Sequence, residues 1–212
     1  MKKIIVFGAS GRTGIQVVKQ ALDLGYEVTA VVRNPDGFSY THKKLLIVKG
    51  DVLQLSTFET SIAGKDAAIT CLGARNLRPT TIYSKGVTNV IKAMQKAGVT
   101  RIICLSASAI EIEPQVPFAV RLLIKYILQP LLKNSFADLR IMEENLKHCK
   151  DLNWTIVRPP SLNNKAVTGK YRIAINEFLP GQMNISRADV AHYMVNHIDD
   201  ASSYQAIVRI GD

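Results

Sequence analysis

A doubly wound α/β fold, a mostly parallel sheet with helices on both faces, is the class this sequence predicts, and three observations predict it. Short apolar runs alternate with stretches of helical period along the chain. The runs at 4–7, 28–32, 45–48, 67–72, 102–105 and 154–157 are almost continuously apolar, the pattern of strands covered on both faces. A glycine-rich turn, Gly8-Ala9-Ser10-Gly11-Arg12-Thr13-Gly14, joins the first run to the first helical stretch.

That turn is the most informative segment. A strand, a tight glycine turn and a helix in this order build a phosphate cradle, with backbone N–H groups and the positive end of the helix dipole facing the ligand. The spacing Gly-x-x-Gly-x-x-Gly is a variant of the Gly-x-Gly-x-x-Gly dinucleotide fingerprint. The sequence therefore predicts a Rossmann-type dinucleotide site at Gly8, Ser10, Gly11, Arg12, Thr13 and Gly14. The helix after the turn carries Ile15, Val18 and Leu22 on one face, and Gly25 stands where a helix stop belongs.

The second strand leads into Arg33-Asn34-Pro35. A site preferring NAD usually places an acidic residue here to hold the ribose hydroxyls. With Arg33 here and Arg12 in the glycine turn, two forked cations suit a 2′-phosphate, so the expected cofactor is NADPH rather than NADH. Asp51 and Val52 follow the third strand, where Asp51 either accepts from the adenine amino group or caps the local turn. The fourth strand brings Leu72, Gly73 and Arg75 to the same rim, Gly73 allowing close backbone approach and Arg75 reaching for phosphate.

Helical stretches are expected at 15–24, 56–63, 81–97 and 136–147. Residues 116–132 are densely apolar but carry Pro117, Arg121, Lys125 and Pro130, which argues against a transmembrane span. As a helix this stretch would place Arg121, Lys125, Gln129 and Lys133 in one polar stripe. Its remaining faces would be apolar, which favours burial in the core or a subunit contact over a membrane surface. Residues 161–185 are polar and turn-rich, with alternation at 171–175. They are expected to form a small substrate-side lobe of one domain covering 1–212. Ser186, three residues before Asp189, reads as the N-cap of a last helix, and 206–210 as a last strand.

Composition narrows the function. The formal net charge is +10, from 27 basic and 17 acidic residues, which favours anionic partners such as a phosphorylated cofactor. The cations are scattered and lack the aromatic interleaving of a single-strand platform, so no nucleic acid is expected. Cys71, Cys104 and Cys149 form neither an even disulfide framework nor a cluster with metal-ligand spacing. No metal is assigned, and a reducing cytoplasm is the expected compartment. Monomer and homodimer are both left open.

The glycine turn, Gly50-Asp51-Val52-Leu53-Gln54, Leu72-Gly73-Ala74-Arg75-Asn76, Trp154-Thr155-Ile156-Val157-Arg158-Pro159-Pro160 and Arg187-Ala188-Asp189-Val190-Ala191 resemble the atypical short-chain dehydrogenases/reductases of the NmrA-like branch. The run from Leu72 to Thr81 and Thr168-Gly169-Lys170-Tyr171 narrow the resemblance to the biliverdin-IXβ reductase/flavin reductase group. It implies NADPH-dependent hydride transfer to a flavin, quinone-like or linear tetrapyrrole acceptor, with Pro159, Pro160 and Ser161 beside the nicotinamide. The chain departs from that group at Ala107, where a serine is the rule, and at Ser161, where a histidine follows the paired prolines. Both departures bear on tetrapyrrole specificity.

The Tyr-x-x-x-Lys pair by which many short-chain dehydrogenases activate a carbonyl is missing at the plausible tyrosine, since Tyr126 is followed at that spacing by Pro130. Reduction by the cofactor in an oriented, dry pocket remains, with Ser106 and Ser108 as hydrogen-bond donors to the acceptor or as caps of the next turn. A rival function of another class is a non-catalytic NADP(H)-sensing regulator acting through a protein partner.

Overall fold

The computed structural model of the chain describes residues 1–74 and 76–212. The first half runs β1 (Lys3–Phe7), α1 (Gly14–Asp23), β2 (Glu27–Val32), β3 (Leu45–Lys49), β4 (Ala67–Thr70), α2 (Ser84–Ala97) and β5 (Arg101–Leu105). Next come α3 (Phe118–Leu123), a π-helical turn (Ile124–Leu128), α4 (Gln129–Leu131), α5 (Lys133–His148) and β6 (Asn153–Arg158). The chain ends with β7 (Ser161–Asn163), β8 (Arg172–Ile175), β9 (Asn184–Ser186), α6 (Arg187–Asn196) and β10 (Ala206–Gly211).

Eight strands form the main sheet in the order β3-β2-β1-β4-β5-β6-β10-β8. All neighbours are parallel except β8, which runs antiparallel to β10. The chain winds outward from β1 through β2 to β3, then restarts on the other side of β1 with β4. That reversal opens a crevice at the carboxyl ends of β1 and β4, where α/β sheets of this winding bind ligands. One face of the sheet is covered by α1 and α6 through Val17, Val18, Val190 and Met194. The opposite face is covered by α2 and α5 through Val90, Met94, Met142 and Leu146. The doubly wound expectation holds, and the continuous apolar runs are explained by this burial on both faces.

Gly25 ends α1 as its position suggests: at φ +82° its amide donates to the Leu22 carbonyl and that of Tyr26 to the Ala21 carbonyl. Ser186 caps α6, its hydroxyl accepting from the Asp189 amide at 2.8 Å. Three expectations need correction. The 56–63 helix is two short 3₁₀ turns, because the Thr57 hydroxyl bonds the Asp51 amide and the Gln54 carbonyl instead of staying out of the backbone's way. The 81–97 helix starts at Ser84, where Asp138 of α5 accepts from the amides of Tyr83 (2.8 Å) and Ser84 (3.3 Å) and caps the helix from outside.

The third correction concerns only the expected core burial of 116–132. The segment is helical, but it lies on the surface and has no buried residue. Pro130 carries no N–H to bond the carbonyl four residues back, and the helix widens to π geometry just before it. Within 161–185, β7 pairs with β9 in a separate two-stranded sheet while β8 extends the main sheet, so the segment is stitched to the domain at both places. No helix among the described residues is long and apolar enough to cross a membrane.

Candidate functional site

The glycine turn occupies the crevice at the end of β1. Gly8 has φ +74°, and a Cβ on it would come 2.7 Å from the Cys71 carbonyl carbon. A Cβ on Gly14, the first residue of α1, would lie 2.8 Å from the Gly8 carbonyl carbon and 2.9 Å from the Ala9 Cα. Both glycines are therefore steric requirements of the turn. The Gly11 amide donates to the Gly8 carbonyl at 2.9 Å, whereas those of Ser10, Arg12 and Thr13 have no hydrogen-bond partner among the described residues. Unpartnered amides at the start of a ten-residue helix fit a pyrophosphate.

Gly8, Ser10, Gly11, Arg12 and Thr13 line a groove of about 370 Å³ together with Arg33, Asp51, Val52, Leu72 and Gly73. Gly14 supports the turn from beneath without lining the groove. Arg75 lies outside the described residues. One oxygen of Asp51 accepts from the Leu53 amide at 3.0 Å, the turn-capping role, and its second oxygen has no hydrogen-bond partner among the described residues. Arg187, at the start of α6, also lines the groove and donates to the carbonyls of Leu162 and Asn163 at 3.1 Å. Burial, and then the positive charge of Arg12, hold the Arg187 guanidinium below its ordinary range. Among the described residues three guanidinium groups and one carboxylate thus surround the groove, a balance that an anionic ligand relieves.

A second groove, of about 440 Å³, adjoins the first through Leu72, Leu105 and Leu162, which line both. Its walls are mainly apolar, with Leu132, Phe136 and Leu139, and among the described residues its polar groups are Asn76, Ser106, Ser135 and the Tyr83 hydroxyl. The Tyr83 hydroxyl accepts from the Ala74 amide at 3.0 Å, and among the described residues its own proton has no acceptor, so it can serve a ligand in this groove. Tyr83 is not legible as a site residue in the sequence, because it stands at a helix start, away from the strand ends.

The structure separates the two expected serines. Ser106 lines the second groove, and its hydroxyl donates to Glu143 at 2.6 Å, so its lone pairs rather than its proton face a ligand. Ser108 lines another hollow beside Glu111 and Phe178, and its amide donates to the Pro159 carbonyl at 2.9 Å. Pro159, Pro160 and Ser161 line neither groove. The residue that reaches both from this loop is Leu162.

Behind Ser106 lies an ion network that sequence spacing could not reveal. Glu143, 2% exposed, accepts from Arg158, itself 3% exposed, and Arg158 also reaches Glu111 at 2.7 Å. Burial alone would lower the Arg158 guanidinium, but hydrogen bonds and charge from Glu143 and then Glu111 reverse that and raise it. The Cys71 and Cys104 thiols are pushed up to about 12 by burial, so both stay neutral and act as small core residues. Tyr126 stands 65% exposed and lines neither groove. Among the described residues no cluster of His, Cys, Asp or Glu could hold a metal ion.

Asp189 ties the loop at 168–169 to the start of α6, accepting from the amides of Thr168 (2.7 Å) and Gly169 (2.9 Å) and the Ser186 hydroxyl (2.7 Å). Burial pushes its pKa up, but these hydrogen bonds outweigh burial and hold the carboxyl below its ordinary range. With the folded pKa depressed, the contribution is complete above the unfolded value of about 4 and is lost as pH falls through the folded pKa. Asp189→Asn is expected to destabilise the protein at neutral pH and to flatten the loss of stability below about pH 4. Urea unfolding across that range checks this, and parallel curves for the two proteins would contradict it.

The comparisons with known proteins agree with this geometry. An uncharacterized chloroplastic protein of Arabidopsis thaliana is 28% identical, over 99% of this chain and 76% of its own length. The photosystem II assembly factor Ycf39 of Synechocystis is 30% identical over 54% of this chain, a match spanning 36% of that protein. A proposed NADH-flavin reductase from Streptococcus pneumoniae superposes with a TM-score of 0.78 at 22% identity, covering 100% of both chains, and shares the fold. The family model described as NAD(P)H-binding matches residues 8–201, from the glycine turn to beyond α6. A Rossmann sheet, a glycine cradle at its switch point and a match over nearly the whole length establish that this chain belongs to the NAD(P)H-binding family.

Proposed function

We propose that this chain is an NADPH-dependent reductase of a conjugated small-molecule acceptor of the flavin, quinone-like or tetrapyrrole type. The observation that carries the proposal is the pair of adjoining grooves: one glycine-cradled and cationic, the other largely apolar, meeting at Leu72, Leu105 and Leu162. In this reading the free amides of the turn hold the pyrophosphate, Asp51 the adenine, and Arg12 and Arg33 the 2′-phosphate. Bound NADPH supplies a hydride. Leu72, Leu105 and Leu162 exclude water at the junction, and the apolar walls of the second groove orient the acceptor. Tyr83 supplies a hydrogen-bond donor to it, while Ser106, held by Glu143, offers an acceptor. Neither groove carries a Tyr-x-x-x-Lys pair. This suits acceptors whose product anion is delocalised, because solvent can then protonate it.

A second reading, an NADPH-sensing regulator that works through a protein partner, is favoured by the absence of that pair from the described lining of both grooves. The likeness to a protein named an assembly factor supports it too. Both readings require Arg33 to recognise the 2′-phosphate. Arg33→Glu is expected to weaken NADPH binding roughly 10–100-fold, the worth of a charge-assisted hydrogen bond, and to leave NADH affinity within about threefold. Calorimetric titration of both nucleotides measures this directly. An unchanged preference would remove Arg33 from the site.

A further inference from the structure

The surface segment from α3 through α4 is the largest feature that the cofactor site leaves unexplained. Phe118 (73% exposed), Tyr126 (65%) and Ile127 (57%) stand out from it with Leu122, Leu123 and Leu131. Large side chains in such a run normally face a core or a partner. Here the helix is anchored from its other side, where Val120 and Ile124 pack over a small hollow against the 178–183 loop. Exposed Arg121, Lys125 and Lys133 accompany the apolar side chains, and the Lys125 ammonium lies 5.3 Å from the Tyr126 ring centroid. From 114 to 137 the chain contains no Asp or Glu. The nearest carboxylates on its N-terminal side, Glu111 and Glu113, are engaged by Arg158 and Arg209.

We propose that this face binds the surface of an anionic phospholipid bilayer. Aromatic and aliphatic side chains beside lysine and arginine, on a helix too short to span, are the chemistry of an interfacial segment. Charge complementarity selects this occupant over a second copy of the chain. A symmetric dimer across this face would bring three cations against three cations on partners that each carry a net charge of +10. The face also ends beside the second groove, since Leu131 is exposed and Leu132 lines that groove. Docking would therefore bring the groove mouth to the lipid surface.

Co-sedimentation of the full chain with phosphatidylglycerol–phosphatidylcholine vesicles tests the proposal, with phosphatidylcholine vesicles alone as the second arm. Binding to the anionic vesicles that weakens with added salt, and little binding to the neutral ones, is expected. Arg121→Gln with Lys125→Gln should weaken binding roughly 20-fold, and Phe118→Ser with Ile127→Ser at least about tenfold. NADPH affinity, measured on the same variants, should be unchanged and shows that they are folded. No association with anionic vesicles would overturn the proposal, as would variants that bind like the parent, because the contact would then lie elsewhere on the basic surface. A wild-type dimer that the Phe118→Ser, Ile127→Ser variant converts to a monomer would overturn it in favour of a second copy.

Discussion

Glu143→Ala is expected to cost about 3–5 kcal/mol of stability, because it strands the buried Arg158 guanidinium with only one partner. That remaining partner, Glu111, has a side chain 60% exposed and contributes little across solvent. In a domain of this size the loss corresponds to a fall in Tm of roughly 10 °C. The second effect is local. Ser106 loses the carboxylate that accepts its proton, so its hydroxyl turns freely at the wall of the second groove. Thermal unfolding followed by circular dichroism measures the first effect. A shift of less than about 2 °C would mean that water solvates Arg158 and that the network is not closed.

Gly8→Ala is expected to disable the cofactor site itself. The added methyl enters a backbone at φ +74° and meets the Cys71 carbonyl, so strain and overpacking together cost about 2–5 kcal/mol. Relief of that clash moves the turn away from β4 and with it the amides of Ser10, Arg12 and Thr13. NADPH affinity should fall at least about tenfold, and NADH affinity by the same factor, because the pyrophosphate cradle is common to both. This separates Gly8→Ala from Arg33→Glu, which acts on one nucleotide only. Titration of the folded variant at low temperature, where the turn stays structured, is the measurement. Unchanged affinity for both nucleotides would mean that the turn does not hold the phosphates.

What could be read from the sequence follows from the range of each interaction. The parallel strands were legible because burial on both faces leaves an apolar run in the chain itself. The stop at Gly25 and the cap at Ser186 were legible because helix termini are local chemistry. That Arg12, Arg33 and Asp51 line one groove was legible because parallel winding places the carboxyl ends of β1, β2 and β3 on one rim. The start of α2 was not, since its cap, Asp138, comes from another helix. The Arg158–Glu143 pair was hidden for the same reason, and so was the consequence that the Ser106 proton is already committed. For 116–132, helical period separated a polar stripe from apolar faces. Which face the domain covers depends on the 178–183 loop, and no period within the segment carries that information. Arg187 is brought to the glycine-lined groove only when α6 packs beside α1, a contact with no local signal in the sequence.

The central claim is that the two grooves form one reducing site. It is tested most directly by following NADPH consumption by nicotinamide absorbance with FMN as acceptor, with NADH run beside it. Saturable consumption that depends on both FMN and protein, and that is faster with NADPH than with NADH, is expected. Tight NADPH binding with no turnover of FMN, quinone or tetrapyrrole acceptors would contradict it and leave the cofactor-sensing reading in its place.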